Sequence, residues 1–137
     1  MSYDKEHEIK PFKHPKIYDD LVLLYHFYHN QHERFPKSFR FTTGERILNQ
    51  LDDCMHMVIE CNLLDKTNHA QCELAVEKLR SVRSTLIVVR SFLHNAWRLK
   101  VVSHKALTEF HIRLDVIEKQ VTKWQQWFVQ KTIDNSK

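Results

Sequence analysis

Glycine is almost missing from this chain: one residue in 137, with only three prolines beside it. Average usage is about 7% for glycine and about 5% for proline. A β-rich fold needs both at its turns, so the shortage predicts long helices joined by few turns. One glycine also excludes a P-loop or a dinucleotide fingerprint, each of which needs several. Cysteine is scarce and odd in number, with three residues and no Cys-x-x-Cys spacing. That count fits reduced thiols and a cytoplasmic protein, not a disulfide framework. Long hydrophobic runs are missing too. The longest, "LVLLYHFY" at 21–28, falls well short of the roughly 20 residues that span a bilayer, so no membrane association is expected. The opening "MSYDKEHEIKPFKHPK" mixes charges and lacks the apolar centre of a signal peptide.

What is there reads as helix. The length suits one domain. Residues 1–16 are expected to form a loosely ordered arm, because Pro11 and Pro15 disfavour helix at themselves and just before. A bundle domain is expected over 17–133. Its first helix runs from about Pro15 to Arg34, with Ile17, Leu21, Leu24 and Tyr28 on one face. Val22, Leu23, Tyr25 and Phe27 fill the other sides, and a helix apolar nearly all round needs cover nearly all round. In a domain this small, another subunit is the expected cover. "TTGE" at 42–45 has capping-box spacing and should start the second helix. Its seam reads Leu48, Leu51, Met55, Val58 and Asn62, up to a polar loop at 65–69. The third helix repeats Leu79, Val82, Leu86, Val89, Leu93 and Ala96. Ser103 should cap the fourth, with seam Leu107, Phe110, Leu114, Ile117, Val121, Trp124 and Phe128. Short loops between such helices predict an all-α, antiparallel up-down-up-down four-helix bundle.

Charge is uneven. Lys and Arg exceed Asp and Glu by 21 to 17, yet from 78 to 108 there is no carboxylate at all. That window holds Lys78, Arg80, Arg83, Arg90, Arg98, Lys100 and Lys105. Arg80, Arg83, Ile87, Arg90 and His94 recur by threes and fours, which makes a stripe beside the apolar seam. A solvated face would show the same pattern, but a stripe of arginines also suits phosphates, which guanidinium grips with two donors. These seven cations are the candidate nucleic-acid contacts.

Catalysis is not expected, nor any cofactor. His26, His29 and His32 stand three apart and His29 precedes Glu33 by four, but there is no His-Glu-x-x-His motif, so surface or interface histidines are expected in place of a metal site. Cys54, Cys61 and Cys72 sit among apolar neighbours, where thiols are inert.

"RFPKSFRFTTGERI" at 34–47 is similar to the "FP-basic-S-x-RFT-x-G-x-R" signature of the Avd family, the accessory variability proteins of diversity-generating retroelements. "LRSVRSTLIVVRSFLHNAWRLKVVSHKALTEF" at 79–110 resembles the family's third helix and following turn, and "IEKQVTKWQQWF" at 117–128 resembles its closing segment. The stretch from Lys119 to Lys123 departs, standing where the family tends to show glycines. A related group, the bundle proteins of intervening sequences in ribosomal RNA genes, carries "S-I-P-x-N-x-x-E-G" on helix two, where this chain has "CMHMVIECNLL". The resemblance implies a homopentameric basic barrel that binds a reverse transcriptase, RNA and DNA, and has no active site of its own.

For the 34–48 stretch the expectation is layered. Phe35, Phe39 and Phe41 should pin the turn to the bundle, and Thr42 with Glu45 should cap helix two. Arg46 should pair with a carboxylate of the fold or touch a partner. Lys37 and Arg40 lie in the loop proper and are expected to face a partner, Arg40 being equally suited to holding the fold. Against the nucleic-acid reading stand an oligomeric adaptor that binds only proteins, through its apolar faces, and a bundle protein of the ribosomal intervening-sequence type.

Overall fold

The computed structural model describes residues 15–136, and every regular element in that span is helical. Four long helices follow one another: α1 (Lys16–His32), α2 (Glu45–Leu63), α3 (His69–Arg98) and α4 (His104–Asp134). The bundle thus begins one residue before the expected 17 and ends one after 133. Of the expected arm, residues 1–14 lie outside the described span.

Each helix touches two others. α1 packs against α2 and α4, and α3 packs against α2 and α4. The paired residues run in opposite numerical order. Between α1 and α4, Gln120 donates to Asp20 and Phe27 stacks on Phe110. Between α3 and α4, His69 meets the Thr132 carbonyl and Arg90 meets Asp115. Residues distant in sequence therefore share an end of the bundle.

The seams decide this packing, since each leucine-sized side chain withdrawn from water contributes about 1.5–3 kcal/mol. Leu79, Val82, Leu86, Val89, Leu93 and Ala96 of α3 are buried, as are Leu107, Phe110, Leu114, Ile117, Val121 and Phe128 of α4. Two expectations need correction. On α2, Leu51 and Val58 are buried as expected, but three seam places lie one residue earlier than the 3,4 count from Leu48 suggests. Ile47, Leu51, Cys54, Val58 and Cys61 are buried, while Leu48 and Met55 are half-buried. The shift puts a cysteine inward in place of Asn62. On α4, Gln125 takes the buried place and Trp124 stays half-buried. Gln125 is satisfied there, accepting from Arg83 at 2.9 Å and donating to the Val76 carbonyl at 3.3 Å. On α1, Leu23 is exposed, while Val22, Tyr25 and Phe27 are half-buried.

Helix starts divide the same way. Ser103 accepts from the Ala106 amide at 3.1 Å, the expected cap, and Asn68 caps α3 by accepting from the Gln71 amide at 3.0 Å. Thr42 caps nothing. The chain is already helical from Lys37, through an α-turn (Lys37–Phe39) and a π-turn (Arg40–Gly44) that run directly into α2. Its hydroxyl instead donates to the Ser38 carbonyl at 2.6 Å and the Phe39 carbonyl at 3.3 Å.

Candidate nucleic-acid interface

The π-turn presses against the last turn of α1, and the glycine makes this approach feasible. A Cβ on Gly44 would lie 2.9 Å from two ring atoms of His32 and 3.2 Å from the Phe39 carbonyl oxygen. The Tyr28 hydroxyl donates to the Gly44 carbonyl at 3.0 Å and lies 3.4 Å from His32 Nδ1. Burial holds the His32 imidazole below its ordinary pKa, helped by the positive charge of His29 and Arg40, so the ring in this knot is neutral. Phe35 and Phe39 close over it, their ring centroids 5.2 Å apart. Phe41 does not pin the turn: it is 60% exposed, with the Arg40 guanidinium 5.1 Å above its ring.

The three loop cations separate by role. Arg40 donates to the Glu33 carbonyl at 3.2 Å, closing the end of α1, so its place is in the fold. Lys37 and Arg46 are exposed. The carboxylate expected for Arg46 is not met: among the described residues neither it nor Lys37 has an acidic group at ion-pair distance.

The helical stripe is largely neutralised. Lys78 pairs with Glu60 of α2 and holds that carboxyl below the usual range. Arg80 reaches Glu77 at 3.0 Å. Arg90 bridges to α4, meeting Asp115 at 2.7 Å, Glu118 at 3.1 Å and His111 Nδ1 at 3.1 Å. Arg83 is exposed and donates to Gln125. The window without carboxylates is real along the chain but not in space, because neighbouring helices supply the acids. As a continuous phosphate track, the stripe fails at Arg90.

Arg98, Lys100 and Lys105 differ. All three are exposed, and none has a carboxylate partner among the described residues. Lys100 has a φ of 63°, the left-handed region that glycine fills without penalty. It sits just past α3, where its amide bonds to the Trp97 carbonyl and the Val101 amide to the Ala96 carbonyl, both at 2.9 Å. That is a Schellman ending with lysine in the glycine position.

The fold brings this turn to the end where the first hairpin lies. Arg34 and Lys105 line one cleft of about 530 Å³, with Gln31, Glu109 and Arg113. Residues 29–46 and 97–113 together hold eight Lys and Arg (34, 37, 40, 46, 98, 100, 105, 113) against three Glu (33, 45, 109), a net +5. The whole chain carries +4, so everything else sums to −1. One end of the bundle is basic and the shaft is balanced. The expected contact residues did not include Arg34 or Arg113. Arg113 reads as neutral by its spacing from Glu109, which it meets at 2.9 Å, and only the fold places Arg34 beside Lys105.

No group of three His, Cys, Asp or Glu among the described residues is arranged to hold a metal ion. His29 does approach Glu33, at 3.7 Å. Burial pushes the Cys54 thiol up to about 12 and the Cys61 thiol up to about 11, so neither is a nucleophile at neutral pH. No helix in the described span is long and apolar enough to cross a membrane. Compared with known protein families, with curated proteins and with solved structures, the chain has no match.

Proposed function

We propose that this chain is a non-catalytic, cytoplasmic accessory subunit that binds nucleic acid through the basic end of its bundle. The observation that carries the reading is the net +5 gathered from two distant segments onto one end, with Lys37, Arg46, Arg98, Lys100 and Lys105 left without carboxylate partners among the described residues. Lys100 strengthens it. A lysine held where glycine is the relaxed choice costs about 1 kcal/mol, and strain of this kind persists where the side chain is used. The resemblance of residues 34–47 to the Avd signature supplies the setting: a diversity-generating retroelement, with a reverse transcriptase and its template RNA and cDNA as partners. In that reading the helices run up-down-up-down and five copies form a barrel, with exposed Leu23, Ile112 and Val116 as apolar surface to be covered.

The test is a titration of single-stranded RNA and duplex DNA at several salt concentrations. The parent is compared with the Arg98→Gln/Lys100→Gly/Lys105→Gln variant. Removing the cation from one phosphate flattens the log-log salt dependence by about 0.7–0.9, so the triple variant should lower the slope by about 2–3. A parent that binds neither nucleic acid at low salt, or a variant with an unchanged slope, removes the reading and leaves the protein-binding adaptor. Sedimentation of the parent reports the copy number.

A further inference from the structure

α4 carries a second basic line that helical spacing alone makes visible. Lys119, Lys123, Trp127 and Lys131 recur every four residues, which puts them on one slowly drifting line of the helix. Trp127 is 41% exposed, and Trp124, one turn earlier, is half-buried. Lys131 Nζ stands 5.1 Å from the centre of the Trp127 ring. The two indoles wall an open groove of about 600 Å³ that Ile17, Lys66 and Lys123 also line. A second groove of about 390 Å³ runs between α3 and α4, beside Arg83, Lys119 and, again, Lys123. Lys123 lines both from the crest of α4 between them: the indole groove opens on the α1 side, beside Pro15 and Ile17, and the other on the α3 side. Asp115 and Glu118 close the far end, where they already hold Arg90. Among the described residues, Arg83, Lys119 and Lys123 have no carboxylate at ion-pair distance.

Each component alone is ordinary. Lysines on a helix are usually solvated, and a single exposed tryptophan needs no explanation. Their order is what matters here: cations first, then two indole faces, then a further cation, along the outer face of α4. A compact anion would use the lysines and leave the indoles idle. Duplex DNA hides its base faces and would do the same. A single strand alternates phosphates with exposed aromatic bases, the chemistry this face of α4 repeats.

We propose that a single strand of nucleic acid crosses the outer face of α4, its phosphates on Arg83, Lys119 and Lys123 and its bases stacked on Trp124 and Trp127. The proposal rests on the nucleic-acid reading above, but it uses α4 and the opposite end of the bundle from Arg98 and Lys105. It is tested on the full chain by titrating oligo(U) and a duplex of equal length, following tryptophan emission together with the anisotropy of labelled strands. Oligo(U) should quench emission. Trp127→Ala should weaken oligo(U) binding about tenfold, the worth of one stacked base, while Trp127→Phe retains most of it and duplex affinity stays unchanged. Lys119→Gln/Lys123→Gln should weaken oligo(U) binding without abolishing the quench at saturation. Oligo(U) that binds without quenching and equally well to Trp127→Ala overturns the α4 site and leaves the basic end standing. Polyglutamate that quenches and competes as well as oligo(U) overturns base stacking too. If neither oligo(U) nor duplex binds at low salt, the proposal and the reading beneath it fall together.

Discussion

Gly44 and Lys100 exchange the places that residue chemistry would give them. The only glycine stands at an ordinary helical φ of −59°, where the constraint is space. The left-handed position goes to a lysine. Gly44→Ala should gain up to about 1 kcal/mol in helix propensity but force the His32 ring out of a buried site, an overpacking cost of about 1–3 kcal/mol. A net loss of about 1 kcal/mol is expected by urea unfolding. Because the clash is with His32, it should shrink in the His32→Ala background, so the double-mutant cycle should show positive coupling. His32 and His111 also set a pH dependence. Burial holds both imidazoles below the ordinary value, His111 with the added charge of Arg90. The unfolded chain therefore takes the proton first. Stability should be full above about pH 6.5 and fall as pH drops through it, levelling off below the folded values. Urea midpoints at pH 7.5 and 5.5 measure the slope, and His32→Gln should flatten it. Tyr28, Phe35 and Phe39 were legible as buried residues, but the contact among Tyr28, His32 and Gly44 was not, because they meet only once the hairpin has folded back.

Among the elements, α3 and α4 were the most legible, since long runs of apolar residues at threes and fours leave one helical solution. The start of α2 was the least. "TTGE" fits a capping box, but a cap requires unpaired amides, and the helical turns from Lys37 have already paired them. Part of the α2 seam went astray by one residue for a related reason: Leu48 and Ile47 are interchangeable by hydropathy, and only the approach of α1 and α3 chooses between them. These assignments make unequal predictions for three small substitutions. Ser103→Ala and Asn68→Ala remove real caps and should each lower the unfolding free energy by about 1 kcal/mol. Thr42→Ala removes only a hydroxyl bonded back to the Ser38 carbonyl, so its effect should stay within about 0.5 kcal/mol. Equal losses in all three would restore the capping box and contradict the continuous helix from Lys37.

At the scale of the whole molecule, the candidate site divides into a legible and an illegible half. The excess of cations in 78–108 was visible along the chain. Which of them remain uncompensated was not, because Glu60, Asp115 and Glu118 come from other helices. The net charge sits at one end, +5 on a chain of +4, although Arg83, Lys119 and Lys123 on the shaft also lack a carboxylate among the described residues. Such a molecule is an electrical arrow, and its behaviour on a charged support depends on which way it points. Lys100→Gln and Lys78→Gln have identical net charge, so a column that sensed only that sum could not tell them apart. On a cation-exchange resin the arrow should dock by its head. Lys100→Gln is expected to elute at clearly lower salt than the parent, and Lys78→Gln, altered on the neutral shaft, close to it. Co-elution of the two charge isomers would show that the head does not lead. If it does lead, any flat anionic surface will stand the bundle upright, with Trp124 and Trp127, toward the far end of α4, held away from the surface.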